Sequence, residues 1–121
     1  MRHPVRRLLS IAVAASLAGP LEAHHSAAQF DLTIRDNEVE GIVRVFEPAN
    51  PHTRIVLEIT DEKGTRDVEF EGHSRNNYFR SGLRPDMVQP GDRVTLIAAP
   101  MRDGSDGGYV LGVILADGRQ F

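Results

Sequence analysis

The chain has 121 residues, 40% of them apolar, with 14 Lys and Arg against 17 Asp and Glu, and no Cys or Trp. That length holds one domain. The missing cysteines exclude a disulfide framework, a thiol nucleophile and a lipid anchor on cysteine, and the acidic balance with few aromatics speaks against a nucleic-acid partner.

The first 23 residues differ from the rest. Met1 to Arg7 carries three arginines and no acid, Leu8 to Leu21 is apolar or small, and small Ala23 closes Leu21-Glu22-Ala23. A basic head, an apolar middle and a small-residue exit predict a secretory signal peptide over residues 1–23. The apolar run falls short of the roughly 20 residues needed to span a bilayer, and Gly19-Pro20 breaks it, so no membrane insertion is expected after processing. The expected location is periplasmic. Ser16-Leu17-Ala18 offers a second cleavage site, and Arg6-Arg7 leaves the Sec or Tat route open. Cleavage after Ala23 removes Arg2, Arg6, Arg7 and Glu22. The remaining 98 residues then hold 11 basic and 16 acidic side chains, a net charge of −5.

Residues 24–38 read as an N-terminal arm, with a short strand at Leu32-Thr33-Ile34. Val39–Phe46 is rich in β-formers, and Gly41 interrupts its alternation as at a bulge or bend. The turn Glu47–His52 carries two prolines. In Thr53–Thr60, Ile55, Leu57 and Ile59 face one way and Arg54, Val56 and Glu58 the other. Asp61–Gly64 is a hairpin loop, with Gly64 suited to the left-handed position. Thr65–Glu71 turns Val68 and Phe70 to one face and Asp67, Glu69 and Glu71 to the other.

The period then changes. Ser74 caps a short helix over Arg75–Ser81 that ends at Gly82, with Tyr78, Phe79 and Leu83 on its buried side. Pro85 starts a single turn and Pro90-Gly91 a tight one. Asp92–Ala99 and Tyr109–Leu115 are strands around a loop at residues 100–108, and Ala116–Phe121 closes with a turn. Three strands, a short helix and two strands predict an all-β domain over 39–121. Its expected form is a small five-stranded OB-like Greek-key barrel, with an open β-sandwich as the alternative.

Candidate chemistry rests on histidines. Cleavage after Ala23 makes His24 the new N-terminus, where its amine and imidazole can chelate one metal. With a further histidine they form a nitrogen set suited to Cu(II). If Ala23 stays as the first residue, His25 stands third, and an amine, two backbone nitrogens and that imidazole also grip Cu(II) or Ni(II). The alternative is a solvated terminus. His52 closes Asn50-Pro51-His52 at the binding end expected of an OB barrel, within reach of Asp103 and Asp106 of the opposite loop. Its alternative is turn capping. His73 lacks a ligand spacing and reads as an ordinary residue before the helix. "DGSDGG" has the acids and glycines of a calcium loop but not its twelfth-position Glu, and reads as a hairpin loop. No serine sits in a nucleophile elbow, and no carboxylate pair stands out as an acid/base couple. An enzyme is not expected.

From Ala23 onward the chain resembles a family of small exported bacterial β-barrel domains of unknown function. The marks are Ala23-His24-His25-Ser26 with Phe30-Asp31, Asn50-Pro51-His52, Phe70-Glu71-Gly72, Pro90-Gly91-Asp92 and Asp117-Gly118-Arg119. The resemblance implies a periplasmic location, a small barrel and no established activity. His24, His25 and His52 fall on the family pattern. His73 stands where the family more often has Gly, and Pro48 and Leu83 stand where it often has Trp. The expected function is that of an exported binding protein whose metal ligands are His24, His25 and His52, with copper first and zinc second as the ion. The alternative is a structural or interaction module that contacts another envelope protein.

Overall fold

The computed structural model describes residues 27–121. Five strands, β1 (Glu38–Glu47), β2 (Thr53–Asp61), β3 (Gly64–Gly72), β4 (Arg93–Pro100) and β5 (Gly108–Leu115), close into a barrel in the order β1-β2-β3-β5-β4. Every strand lies within one residue of its expected ends, and the open sandwich is set aside by closure. The pairs are antiparallel except β3 with β5, which meet in parallel at Glu71 and Tyr109. The helix α1 (Arg75–Ser81) sits between β3 and β4 as expected. Ser74 accepts the Asn77 backbone N–H at its start, and Gly82 ends it at φ 94°, a backbone that costs glycine little. A 3₁₀ turn covers Pro85–Met87.

Alternation puts one face of each strand inside. Val43, Ile55, Leu57, Val68, Phe70, Val94, Leu96, Val110 and Val113 form the core, and Tyr78, Leu83 and Val88 pack on it from the helical connection. Phe79, expected in the same buried set, is only half-buried, with the Arg84 guanidinium 5.1 Å above its ring. Gly41 lies where β1 leaves β4 for β2. Gly41 pairs with Val94, and Ile42 pairs with both Glu58 and Arg93. A Cβ at Gly41 would stand 2.7 Å from the Glu58 carbonyl oxygen, so close backbone approach selects glycine there. The bulge itself falls two residues later, between Val43 and Val45.

The strand expected at Leu32-Thr33-Ile34 does not form. The Asp31 carboxylate accepts from the Thr33 backbone N–H and hydroxyl, and the Ile34 N–H donates to the Asp31 carbonyl. That local turn competes with a strand. The arm is instead bound one step earlier. Phe30 forms a bridge with Met101, Asp31 N–H donates to Pro100, and Arg102 N–H donates to Gln29. Phe30 is 3% exposed.

Arg66 clamps the β2–β3 hairpin to the β4–β5 loop, since its guanidinium donates to both Asp61 and Asp106. Hydrogen bonds from Arg66, then from the Lys63 backbone, hold the Asp61 carboxyl at about 2, below the usual 3.8. A carboxyl with a lowered folded-state pKa stabilises the fold above its unfolded value and loses that contribution as pH falls through the folded one. The clamp is therefore expected to be complete above pH 4 and to weaken from there toward pH 2. In Arg66→Gln, carbon-detected NMR titration should find the Asp61 midpoint moved up toward 3.8; an unmoved midpoint would show that Arg66 is not its cause.

Candidate functional site

The Asn50-Pro51-His52 corner, with a cis Asn50–Pro51 peptide, is pinned to the start of α1. Thr53 N–H donates to the His73 carbonyl (3.1 Å) and Arg75 N–H to that of Ala49 (2.8 Å). These bonds set His52, at the entrance to β2, beside the exit of β3. The single β3–β5 bridge then brings Tyr109, the second residue of β5, against Glu71. Four side chains far apart in sequence thus meet at one end of the barrel: His52, Glu71, His73 and Tyr109.

His52 Nδ1 lies 3.1 Å from Glu71 Oε1, with 43% of the His52 side chain and 25% of the Glu71 side chain exposed. His73 Nδ1 shares a 3.1 Å hydrogen bond with the Tyr109 hydroxyl. Both imidazoles meet the Tyr109 ring edge-on, with centroids 6.3 Å away for His52 and 5.2 Å for His73. Phe30 of the arm packs on the same tyrosine at 5.5 Å. Next to His73 lies the buried Tyr78 (6.2 Å), and next to that Phe46 (6.2 Å). An aromatic row therefore crosses the barrel end from the arm to β1. Gly72 makes room for it, since a Cβ there would stand 2.5 Å from the Tyr78 hydroxyl.

Electrostatics follow from that packing. Burial, then the nearby charge of His52, lowers the His73 pKa, which favours a neutral imidazole. Burial, then the Glu71 carboxylate, raises that of Tyr109, and burial raises that of Tyr78, so both phenols stay protonated. Thr53 and Tyr78 each bury a hydroxyl without a hydrogen-bond partner among the described residues. An open groove of about 340 Å³ runs along β2 and β3 past His52, Thr53 and Glu71. A second, of about 210 Å³, continues it past Glu71 and Phe30 to the arm.

Of the expected ligands, His52 stands in this cluster, while His24 and His25 lie outside the described residues. The acids expected near His52 have other partners. Asp106 is held by Arg66, and Asp103 accepts from the Ser105 backbone N–H and hydroxyl. The acid at His52 is Glu71, which strand alternation assigns to a solvated face. His73 and Tyr109 also carry no local motif; the signal for them is the barrel topology, which sets the exit of β3 beside the entrance of β5. Among the described residues, no three His, Cys, Asp or Glu side chains are grouped to hold a metal ion. Glu71 and Tyr109 each fix the orientation of one imidazole at this end of the barrel.

Residues 11–110 match the model of a family of unknown function (DUF6152). No curated protein and no solved structure matches the chain significantly.

Proposed function

The chain belongs to this family of unknown function, and from that premise we propose that it is an exported, periplasmic, non-enzymatic barrel that binds a transition metal, copper first, through His24, His25 and His52. The observation that carries the reading is the carboxylate of Glu71 at His52 Nδ1. Metal-binding histidines commonly hold the second ring nitrogen against a carboxylate, which fixes the tautomer and raises the basicity of the free nitrogen. Glu71 favours the proton on Nδ1 and leaves the lone pair on Nε2.

The arm supports the same reading. Its bonds to the barrel run from Ala28 and Gln29, which accept from Arg102 just past β4, to Asp31, which donates to Pro100. Phe30 packs on Tyr109, the ring that His52 also meets, and His24 and His25 precede Phe30 by six and five residues in the chain. An amine and up to three imidazoles give Cu(II) the nitrogen donors and tetragonal geometry it favours.

The test is to purify the naturally processed protein, sequence its N-terminus and titrate Cu(II) and Zn(II). A start at His24 and a Cu(II) dissociation constant tighter than about 1 µM are expected. His24→Ala, His25→Ala and His52→Ala should each weaken binding at least tenfold. A start at Gly19, weaker binding, or variants that bind like the natural chain would overturn the reading and favour an interaction module instead.

A further inference from the structure

We propose that the N-terminal arm is exchanged between two copies of this chain, each seating its Phe30 on the Tyr109 of the other, with Leu32–Asp36 as the hinge. The partner is thus a second copy, and it contributes a ring to the barrel end that holds His52. The inference stands apart from the metal reading, and its test contains no metal.

The arm and β1 lie along the same edge of β4 and its extension. Ala98 N–H donates to the Asn37 carbonyl (2.9 Å), and the Asn37 side-chain amide donates back to Ala98 (3.1 Å). Two positions further, Asp31 N–H donates to Pro100 (2.8 Å), Phe30 bridges Met101, and Arg102 N–H donates to Gln29 (2.8 Å). Five residues, Leu32–Asp36, are therefore looped out opposite the single residue Ala99. The bonds of that loop are local: Thr33 and Ile34 donate to Asp31, and Arg35 donates to Leu32. The arm is thus a short added strand on a separate seat, joined to β1 by a self-contained loop.

That loop carries the wrong side chains for a solvated hinge. Leu32 and Ile34 are the large apolar residues left exposed among the described residues, at 38% and 40%, and Leu32-Thr33-Ile34 has the side chains of a strand. A second copy resolves both conflicts. The seat of the arm is the same on every copy, so each contact of Gln29, Phe30 and Asp31 with the barrel is reproduced when the arm crosses over. Only the hinge changes conformation, which makes such exchange a low-cost route to a two-fold dimer. With the Asp31 turn opened, the two hinges run antiparallel past one another across the axis. Leu32 and Ile34 of one copy then pack on those of the other as cross-strand pairs. The strand preference overruled in the single chain is satisfied in the pair.

The chain has no cysteine of its own, so a pair introduced across the seat reports where the arm lies. Gln29 and Arg102 face each other there, and Gln29→Cys combined with Arg102→Cys should close a disulfide. On a non-reducing denaturing gel, a link within one chain runs as a monomer and a link between chains as a dimer. The dimer band is expected, its share rising with protein concentration. Light scattering of the naturally processed chain, free of metal, should pass from the mass of one chain to that of two below about 1 mM, the weak end of specific association. Asp31→Ala removes the carboxylate that holds the turn and should raise the dimerisation constant about fivefold, the order of one net hydrogen bond. Leu32→Ser combined with Ile34→Ser should lower it at least about tenfold. Circular dichroism confirms that each variant folds, and the scattering series on the natural chain needs no variant at all. A single-chain mass throughout, or cysteines that pair only within one chain, would overturn the proposal. So would a dimer that neither hinge variant moves.

Discussion

Leu57→Ala is expected to destabilise the barrel by about 3 kcal/mol, within the range of roughly 2–5 kcal/mol found for leucine truncation in well-packed cores. Leu57 is fully buried at the middle of β2, paired with Val43 on one side and Val68 on the other. A Cβ at Gly41 would stand 3.0 Å from Leu57 Cβ and 3.2 Å from its Cδ1. Truncation thus opens a void beside a glycine with no side chain to move into it, on a closed sheet that resists collapse. Val56→Ala on the outer face, where the residue is 7% exposed, should cost less, about 1–2 kcal/mol by the area it removes from water. Urea titration reads both as a shift in midpoint at constant slope. Equal losses for the two variants would overturn the assignment of the inner face.

Phe30→Ala has a different expected result, because the ring belongs to the arm and lies outside the main core cluster. Phenylalanine truncation in a core costs about 3–5 kcal/mol. Here the arm can detach while the barrel stays folded, so the global loss is capped near the bottom of that range. The local signature should be faster hydrogen exchange at the Asp31 and Arg102 amides, which donate to Pro100 and Gln29. Metal binding should fall too, with every histidine intact. Docked, the arm is bonded to the barrel from Ala28, four residues from His24; released, the next such point is Asn37, which bonds Ala98, thirteen residues away. The effective concentration of a tethered ligand falls as about the −3/2 power of tether length, so Cu(II) affinity should drop roughly sixfold. Undiminished affinity alongside faster exchange would show that the arm plays no part in delivering the terminal histidines.

Both outcomes bear on how far the fold could be read before the structure. Strands such as Thr53–Thr60 announce themselves because apolar and polar residues alternate along them, and the barrel follows that alternation to within a residue. The helix is equally local, since Ser74 and Gly82 supply its two ends. Leu32-Thr33-Ile34 went the other way because β-forming side chains are a weak preference, and one Asp31 carboxylate bonded to the next turn outweighs it. Gly41 was legible as an interruption; its cause, the carbonyl of Glu58 on a neighbouring strand, was not.

The sequence by itself determined the five barrel strands and the helix, their order along the chain, the inner and outer faces of the sheet, and His52 as a residue worth placing. These depend on interactions within a few residues, where period and capping chemistry are written in the chain. Tertiary structure decided the neighbours of His52. Glu71 reaches it through the β2–β3 register, and Tyr109 through the one parallel bridge that closes β3 against β5. It also took Asp106 away, to Arg66 on the neighbouring β3, and brought His73 in. Positions 52, 71, 73 and 109 share no spacing, because a closed sheet joins residues by strand order and register rather than by distance along the chain.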